Sequence, residues 1–308
     1  MNAPVDNSRC VTLAHFSDVH VTCRPLGWRR ADWFNKRMAA WLNLRVLGRA
    51  FRFRRADEVL AALVAELQAR PPDHIIFSGD ATALGFEEEL AHAARLLGLT
   101  DGASAPLPGL AVPGNHDYCT YQAAASGAFE RHFAPWQIGE RVDGAAYPFA
   151  QRVGPVWLIA VNSSTGNRWA WDASGGVDTA QLGRLQRLLE RLDTGPRILV
   201  THYPVCLANG RRERRSRGLR NLNDLVAAAE RGNVSLWLHG HRHGPYHHAA
   251  TDLASFPVIC AGSATQSGLW SYMRYRIVTG RLEATRRTFE LDHGVFRDAA
   301  SFELPLPV

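Results

Sequence analysis

Five times along this chain an apolar run of strand length stops at a short block of polar residues, and each block holds side chains able to bind a metal ion. Val11 to Ser17 runs into Asp18-Val19-His20, and His74 to Ser78 into Gly79-Asp80. Leu110 to Val112 leads to Pro113-Gly114-Asn115-His116-Asp117, Arg197 to Thr201 to His202-Tyr203-Pro204, and Val234 to Leu238 to Gly240-His241-Arg242-His243. Short apolar runs rich in β-branched residues and bounded by turn formers predict buried strands. Between them Ala56 to Ala69 carries Val59, Leu60, Leu63, Val64 and Leu67 at helical spacing and stops at Pro71-Pro72. Phe86 to Leu97, Asp178 to Leu192 and Asn221 to Glu230 also read as helices, while Tyr147 to Val153, Val156 to Val161 and the pieces at 256–260, 272–278 and 282–289 read as strands. Strand alternating with helix, followed by a run of strands, predicts an α/β protein with a β-rich later part on the same core. Ligands of such folds sit beyond the strand ends, where the five blocks fall.

The spacing inside the blocks has a physical reading. Residues two apart in extended chain point the same way, so Asp18 and His20 are expected to face one site together, as are His241 and His243. Adjacent residues diverge, which turns Asn115 and His116 to different tasks. Glycines at 79, 114 and 240 allow tight turns and close backbone approach. A mixture of imidazole, carboxylate and amide oxygen suits Mn, Fe or Zn rather than a thiolate site. Seven such ligands with one shared carboxylate fill two neighbouring ions, a recurrent device for cleaving phosphoesters.

With these blocks the chain resembles the calcineurin-like metallophosphoesterases, whose pattern is D-x-H, G-D, G-N-H-[DE], a later His and G-H-x-H; all five blocks occur in that order between residues 11 and 243. The resemblance implies a four-layer α/β/β/α sandwich of two mixed sheets flanked by helices. It implies that Asp18, His20 and His243 bind one metal, that Asn115, His202 and His241 bind the other, and that Asp80 bridges both. His116 is implied as a catalytic residue over the phosphate that stabilises or protonates the leaving oxygen, with Asp117 hydrogen-bonded to it. The cofactors implied are two divalent or trivalent ions, Mn, Fe or Zn, activating a water for in-line attack on phosphorus. Some members that hydrolyse a lipid-sugar pyrophosphate carry Arg at the position of His116, so this chain looks like the general His-bearing type, which leaves a pyrophosphate substrate open.

Isolated histidines elsewhere have an ordinary reading. His15, His74, His92, His132 and His293 are expected to be satisfied core groups, His239 is expected to be structural, and His247 and His248 are expected in a solvated loop. Cys23 and Cys119 lie near the metal blocks but are expected to be small buried or half-buried residues. The five cysteines are odd in number and form no C-x-x-C pair, which points to free thiols and a reducing, cytoplasmic setting. Residues 1–10 show no apolar leader core, and no apolar stretch reaches the ~18 residues of a transmembrane helix.

At 308 residues, 46% hydrophobic and 21% charged, the chain has ample core for a single domain spanning 1–308. Its charge of +6 is unevenly placed: ten Lys or Arg against Asp32 alone give 24–55 a local +9, and 211–220 holds six Arg against Glu213. The segment 24–55 reads as a basic, Trp-rich helical insertion, an amphipathic helix or helical pair. Trp33, Phe34, Met38, Trp41 and Leu42 are expected near one face, with Lys36, Arg37, Arg45 and Arg49 flanking or opposite. Three roles fit: an interfacial helix on an anionic membrane surface, a cap whose Trp residues are core, or a lid bringing Arg to an anionic substrate. The arginines of 211–220 either grip phosphate at the site mouth or form a solvated loop.

Four functions remain open on this reading. They are hydrolysis of a lipid-linked phosphate or pyrophosphate at the inner membrane surface, cyclic-nucleotide or other small-diester hydrolysis, nuclease action, and a non-catalytic metal-binding scaffold. The positive charge is local and no nucleic-acid-binding domain is appended, while the full ligand set speaks against the scaffold.

Overall fold

The computed structural model describes residues 10–100, 105–278 and 280–307. The leader reading of residues 1–10 falls almost wholly outside them. In chain order the strands are β1 Val11–Phe16, β2 His74–Phe77, β3 Gly109–Ala111, β4 Glu140–Arg141, β5 Phe149–Val153, β6 Val156–Ala160, β7 Arg197–Val200, β8 Val234–His239, β9 Tyr246–His248, β10 Val258–Cys260, β11 Ser271–Val278, β12 Arg281–Glu290 and β13 Val295–Pro305. The helices are α1 Lys36–Arg45, α2 Arg49–Arg52, α3 Ala56–Ala69, α4 Glu87–Leu96, α5 Tyr121–Ala125, α6 Ala128–His132, α7 Thr179–Arg191 and α8 Leu222–Arg231, with a short 3₁₀ turn at Arg30–Phe34 and another at Ala134–Trp136.

Two mixed sheets form, in the orders β13-β12-β11-β1-β2-β3 and β4-β5-β6-β7-β8-β10-β9. Both are parallel at their centres, where β1 pairs with β2 and β7 with β8. These strands have apolar residues on both faces, so alternate side chains feed different layers. In β1, Val11 and Leu13 join the cluster between the sheets, whereas Ala14 and Phe16 join the cluster under α3 and α4. In β8, Leu236 and Leu238 point between the sheets and Trp237 packs toward α7 and α8. Helix, sheet, sheet, helix is the layering that results.

α3 buries Val59, Leu60, Leu63 and Leu67. α7 begins at an Asp178 cap whose side chain accepts the Gln181 amide, a favoured device for starting a helix. The longest element not foreseen is β13. It pairs along β12 but is exposed along most of its length, so it carries no apolar alternation to read.

The insertion takes the helical-pair form of its expected shape, but its apolar stripe is broken. It forms a 3₁₀ turn and two short helices in place of one amphipathic face. Asn35 takes an extended conformation and caps α1 by accepting the Arg37 amide, which breaks the stripe between Phe34 and Met38. Leu26 and Leu44, with half-buried Trp28 and Trp41, pack on Ala83, Leu84 and Phe86. Trp33 and Phe34, 58% and 92% exposed, do not.

His15 and His74 are buried and hydrogen-bonded, as expected. His92 and His132 are only half-buried, His293 is exposed, and all three face carboxylates. They are therefore surface partners of carboxylates rather than core groups. His247 and His248 lie on β9, not in a solvated loop, and His247 stacks on Phe302 with ring centres 3.6 Å apart. Strand pairing to β10 holds them there. Cys23 is half-buried and Cys119 buried. Among the described residues no helix is long and apolar enough to cross a membrane.

Candidate metal centre

All five polar blocks converge beyond the ends of β1, β2, β3, β7 and β8 and bring Asp18, His20, Asp80, Asn115, His202, His241 and His243 together. The backbone reaches this arrangement differently from the extended alternation expected of it. Asp18, His20, Asp80 and His241 hold left-handed φ values of 53°, 44°, 59° and 65°. Such conformations cost non-glycine residues of order 1–3 kcal/mol each and persist where surroundings over-determine them. Here the surroundings are backbone hydrogen bonds, Asp18 N–H to Gly79 O at 2.9 Å and His20 N–H to Asp80 O at 3.0 Å. Glycine is required beside them. A Cβ on Gly114 would lie 2.1 Å from Asp80 Oδ1, and one on Gly240 1.9 Å from Ser17 Oγ.

Each carboxylate has one oxygen tied to backbone and one aimed inward. Asp80 Oδ1 accepts the His116 amide at 2.7 Å, while Oδ2 lies 3.6 Å from His20 Nε2 and 3.4 Å from His202 Nε2. Asp18 Oδ2 accepts the His241 amide at 3.0 Å, while Oδ1 lies 3.7 Å from His20 Nε2 and 3.4 Å from His243 Nε2. Asn115 Oδ1 lies 3.2 Å from His202 Nε2 and 2.9 Å from His241 Nδ1. Two donor clusters therefore share Asp80 Oδ2. One comprises Asp18, His20 and His243; the other comprises Asn115, His202 and His241.

The imidazoles are oriented from behind. His20 Nδ1 faces Thr82 O at 3.1 Å and His202 Nδ1 faces Ser78 O at 2.8 Å, and His243 Nδ1 meets Gln266 Oε1. A carbonyl only accepts, so each Nδ1 carries a proton and each Nε2 is the nitrogen turned inward, where a neutral ring offers its lone pair. His20 Nε2 and His243 Nε2 then oppose each other at 3.3 Å with no proton to share. Asp18 Oδ1 is buried without a hydrogen-bond partner among the described residues. An orphaned carboxylate oxygen and facing lone pairs are what a bound cation would satisfy. The residues present fit two metal ions.

Electrostatics agree. Burial works against ionising Asp80, but the His202 and His116 imidazoles outweigh it and hold the carboxyl well below its usual range. Against its own burial His202 is in turn lifted to about 9 by Asp80, so its inward nitrogen carries a proton that a bound cation would displace. Asp18 is likewise opposed by burial yet held down to about 2 by His20 and His243. Burial pushes His241 down to about 3, so its ring is neutral.

His116 and Asp117 sit apart in role. His116 Nδ1–H donates to Ala83 O at 2.8 Å, which leaves Nε2 for the site, and a ring nitrogen lies within 4.8 Å of donor atoms of His20 and Asp80. Asp117 does not hydrogen-bond His116, contrary to expectation. Its Oδ2 accepts the Asp80 and Gly114 amides at 2.9 and 2.8 Å, and its Oδ1 accepts the Thr82 amide at 3.0 Å. Asp117 is therefore the buried clasp that fixes the Gly79-Asp80 turn against the Gly114 turn. His239 is buried and donates to Gly240 O, a structural position.

The rim was only partly foreseen. Lys36 of the insertion donates to Asp172 O at 2.7 Å, joining it to a loop that carries Trp169 and Trp171, stacked 5.1 Å apart. Ser163, near the start of that loop, accepts the His202 amide. Arg220 is spent on this loop, bound to Asp172 at 2.9 Å and to Asn167 at 3.0 Å. Glu213 ties the arginine-rich loop to Arg242 between His241 and His243. Among the described residues, eight of the twelve exposed large hydrophobic side chains lie on the insertion and this loop: Trp33, Phe34, Leu42, Val46, Leu47, Phe51, Trp169 and Trp171. Apolar exposure is therefore concentrated at this margin and not scattered. Trp169 and Trp171 lie in irregular chain, where no periodicity marks them.

The calcineurin-like phosphoesterase model matches residues 11–245, and with this fold and site on the page the chain belongs to that family of two-metal, metal-dependent phosphoester hydrolases. It is similar in fold to a dimetal phosphatase from Danio rerio, at 14% identity and a TM-score of 0.65, over 96% of this chain and 99% of that one. A purple acid phosphatase from yellow lupin (Lupinus luteus) seeds matches at 12% identity and 0.59, over 97% of this chain and 54% of that one. The structure of PhoD matches at 10% and 0.58, over 99% and 71%. No curated protein matches the sequence.

Proposed function

We propose that this enzyme cleaves the phosphoester or phosphoanhydride bond of a lipid-linked substrate at the anionic inner surface of a membrane. In this reading Asp18, His20 and His243 hold one ion, Asn115, His202 and His241 hold the other, and Asp80 holds both. The mixed imidazole, carboxylate and amide donors suit Mn, Fe or Zn. When bound, the two ions supply Lewis-acid polarisation of the phosphoryl group and activation of water. His116 keeps Nδ1–H on Ala83 O and turns Nε2 to the site. Burial pushes its pKa well below the ordinary value, so it can protonate the leaving oxygen only once a bound phosphoryl anion favours a second proton on Nε2.

The observation that supports the lipid-linked substrate is the exposed aromatic and aliphatic rim beside the site, on a segment of local charge +9. Trp and aliphatic side chains among Arg and Lys match an interface of acyl chains and anionic headgroups. His116 serves an ester leaving group equally well, so a small diester such as a cyclic nucleotide is the second reading.

The test is a panel of lipid pyrophosphate, lipid monophosphate, cyclic nucleotide, single-stranded nucleic acid and chromogenic diester, assayed with one Mn²⁺-loaded preparation with and without anionic vesicles. The expected result is the highest kcat/KM on a lipid-linked substrate, raised further by vesicles. A preference for cyclic nucleotide or nucleic acid that ignores vesicles would overturn the lipid reading. Absence of all turnover would point to a metal-binding scaffold.

A further inference from the structure

The insertion carries ten cations, and the structure sorts them. Arg37 binds Asp32 and the Gly85 carbonyl, Lys36 binds Asp172 O, and Arg55 pairs with Glu58. Arg54 lies over the Phe51 ring at 4.1 Å, and Arg24, Arg29, Arg30, Arg45 and Arg52 face solvent. Arg49 alone turns inward without a hydrogen-bonding or ion-pairing partner among the described residues. Its guanidinium carbon lies 5.9 Å from the Phe53 ring centre. The Phe53 ring in turn lies 4.7 Å from His20 and 5.8 Å from His243, centre to centre.

The position is held from both sides. Ser267 N–H donates to Arg52 O at 2.7 Å, which pins α2 to the loop whose Gln266 holds His243. Burial is the main influence on the Arg49 guanidinium, and the opposing charges it feels are the Asp80 and Asp18 carboxylates. Arg49 is half-buried, and a partly desolvated cation with no anion of its own gains when an anion arrives.

We propose that Arg49 grips a peripheral oxygen of the phosphoryl group bound at the metal centre, so that the insertion supplies the site with a substrate-contacting cation. The guanidinium fork suits two phosphate oxygens at once, which a lysine cannot match. The proposal rests on the phosphoesterase reading of the centre but not on the lipid-linked substrate.

The test is calorimetric titration of inorganic phosphate into Mn²⁺-loaded wild type, Arg49→Ala and Arg49→Lys, with metal content and Tm measured on the same samples. Arg49→Ala should keep its metal and its Tm and bind phosphate about 10- to 100-fold more weakly, with KM for a chromogenic phosphate ester rising in step. Arg49→Lys should recover part of the loss. Phosphate affinity within about twofold of wild type in Arg49→Ala would overturn the proposal. So would loss of metal or a large drop in Tm, because Arg49 would then be structural, or a wild type that does not bind phosphate. Failure of the lipid reading would appear separately, as indifference to vesicles.

Discussion

The floor of the site and its rim are built on opposite terms. On the floor, Asp18, His20, Asp80 and His202 are buried, and backbone groups hold each from behind. At the rim, Phe34, Leu47 and Trp171 are 92%, 76% and 71% exposed and contribute little to the core. Buried polar groups with fixed partners give geometry, and the strain of four left-handed residues is tolerated because every neighbour enforces it. Exposed apolar groups among cations give adhesion and are free of packing constraints. On the proposed reading, chemistry and membrane contact sit on separate parts of one surface, and substitutions should separate them.

The largest effect is expected on the floor. Asp80→Ala removes the oxygen shared by both donor clusters, so turnover should fall beyond the ~10²–10³-fold typical of losing one electrostatic donor. Activity of that variant on a chromogenic diester at saturating Mn²⁺ is the check. Near-wild-type turnover would show that the two clusters do not act as one centre.

A step outward, His116→Ala should keep its metal and lose rate. General acid help is worth ~10²–10⁴-fold, and the loss should be smaller with good leaving groups, which need little protonation. Equal losses across a leaving-group series would reduce His116 to an electrostatic role and move it to the same side of the comparison as His20.

The smallest effect on chemistry is expected at the rim. Replacing Trp33, Phe34 and Trp171 by Ser should leave Tm and soluble-substrate turnover unchanged, since core packing does not depend on them. Co-sedimentation with anionic vesicles should fall, and binding by the wild type should weaken with salt as the screening length drops from ~10 Å at 0.1 M to ~3 Å at 1 M. A wild type that ignores vesicles, together with a large Tm drop in the triple variant, would make the rim part of the core and erase the contrast.

The floor was far more legible in the sequence than the rim. Metal-binding letters sit two residues apart at two strand ends, so Asp18, His20, His241 and His243 could be assembled from local spacing. The left-handed backbone of Asp18, His20 and His241 could not, because it depends on long-range hydrogen bonds such as Asp18 N–H to Gly79 O. Asp117 misled for the same reason. Adjacency suggested His116 as its partner, whereas three amides from the 80–82 and 114 turns compete for its two oxygens and win. The insertion's stripe was read at helical period through Asn35, where the chain is extended. Trp169 and Trp171 carried no pattern, and the largely exposed β13 left no apolar alternation to find. Gln266 emerges only in three dimensions, from a loop 23 residues beyond the His243 it orients.

The central claim is that the seven converging residues form one centre for two ions. Metal analysis of the wild type after loading with Mn²⁺ and removal of excess, read beside hydrolysis of a chromogenic phosphodiester as the ion is titrated in, tests it most directly. The account predicts two ions per chain and activity that rises to a plateau as the second site fills, abolished by chelator and restored by Mn²⁺. A protein that saturates with one ion or none, or that hydrolyses the diester equally well after chelation, would contradict it.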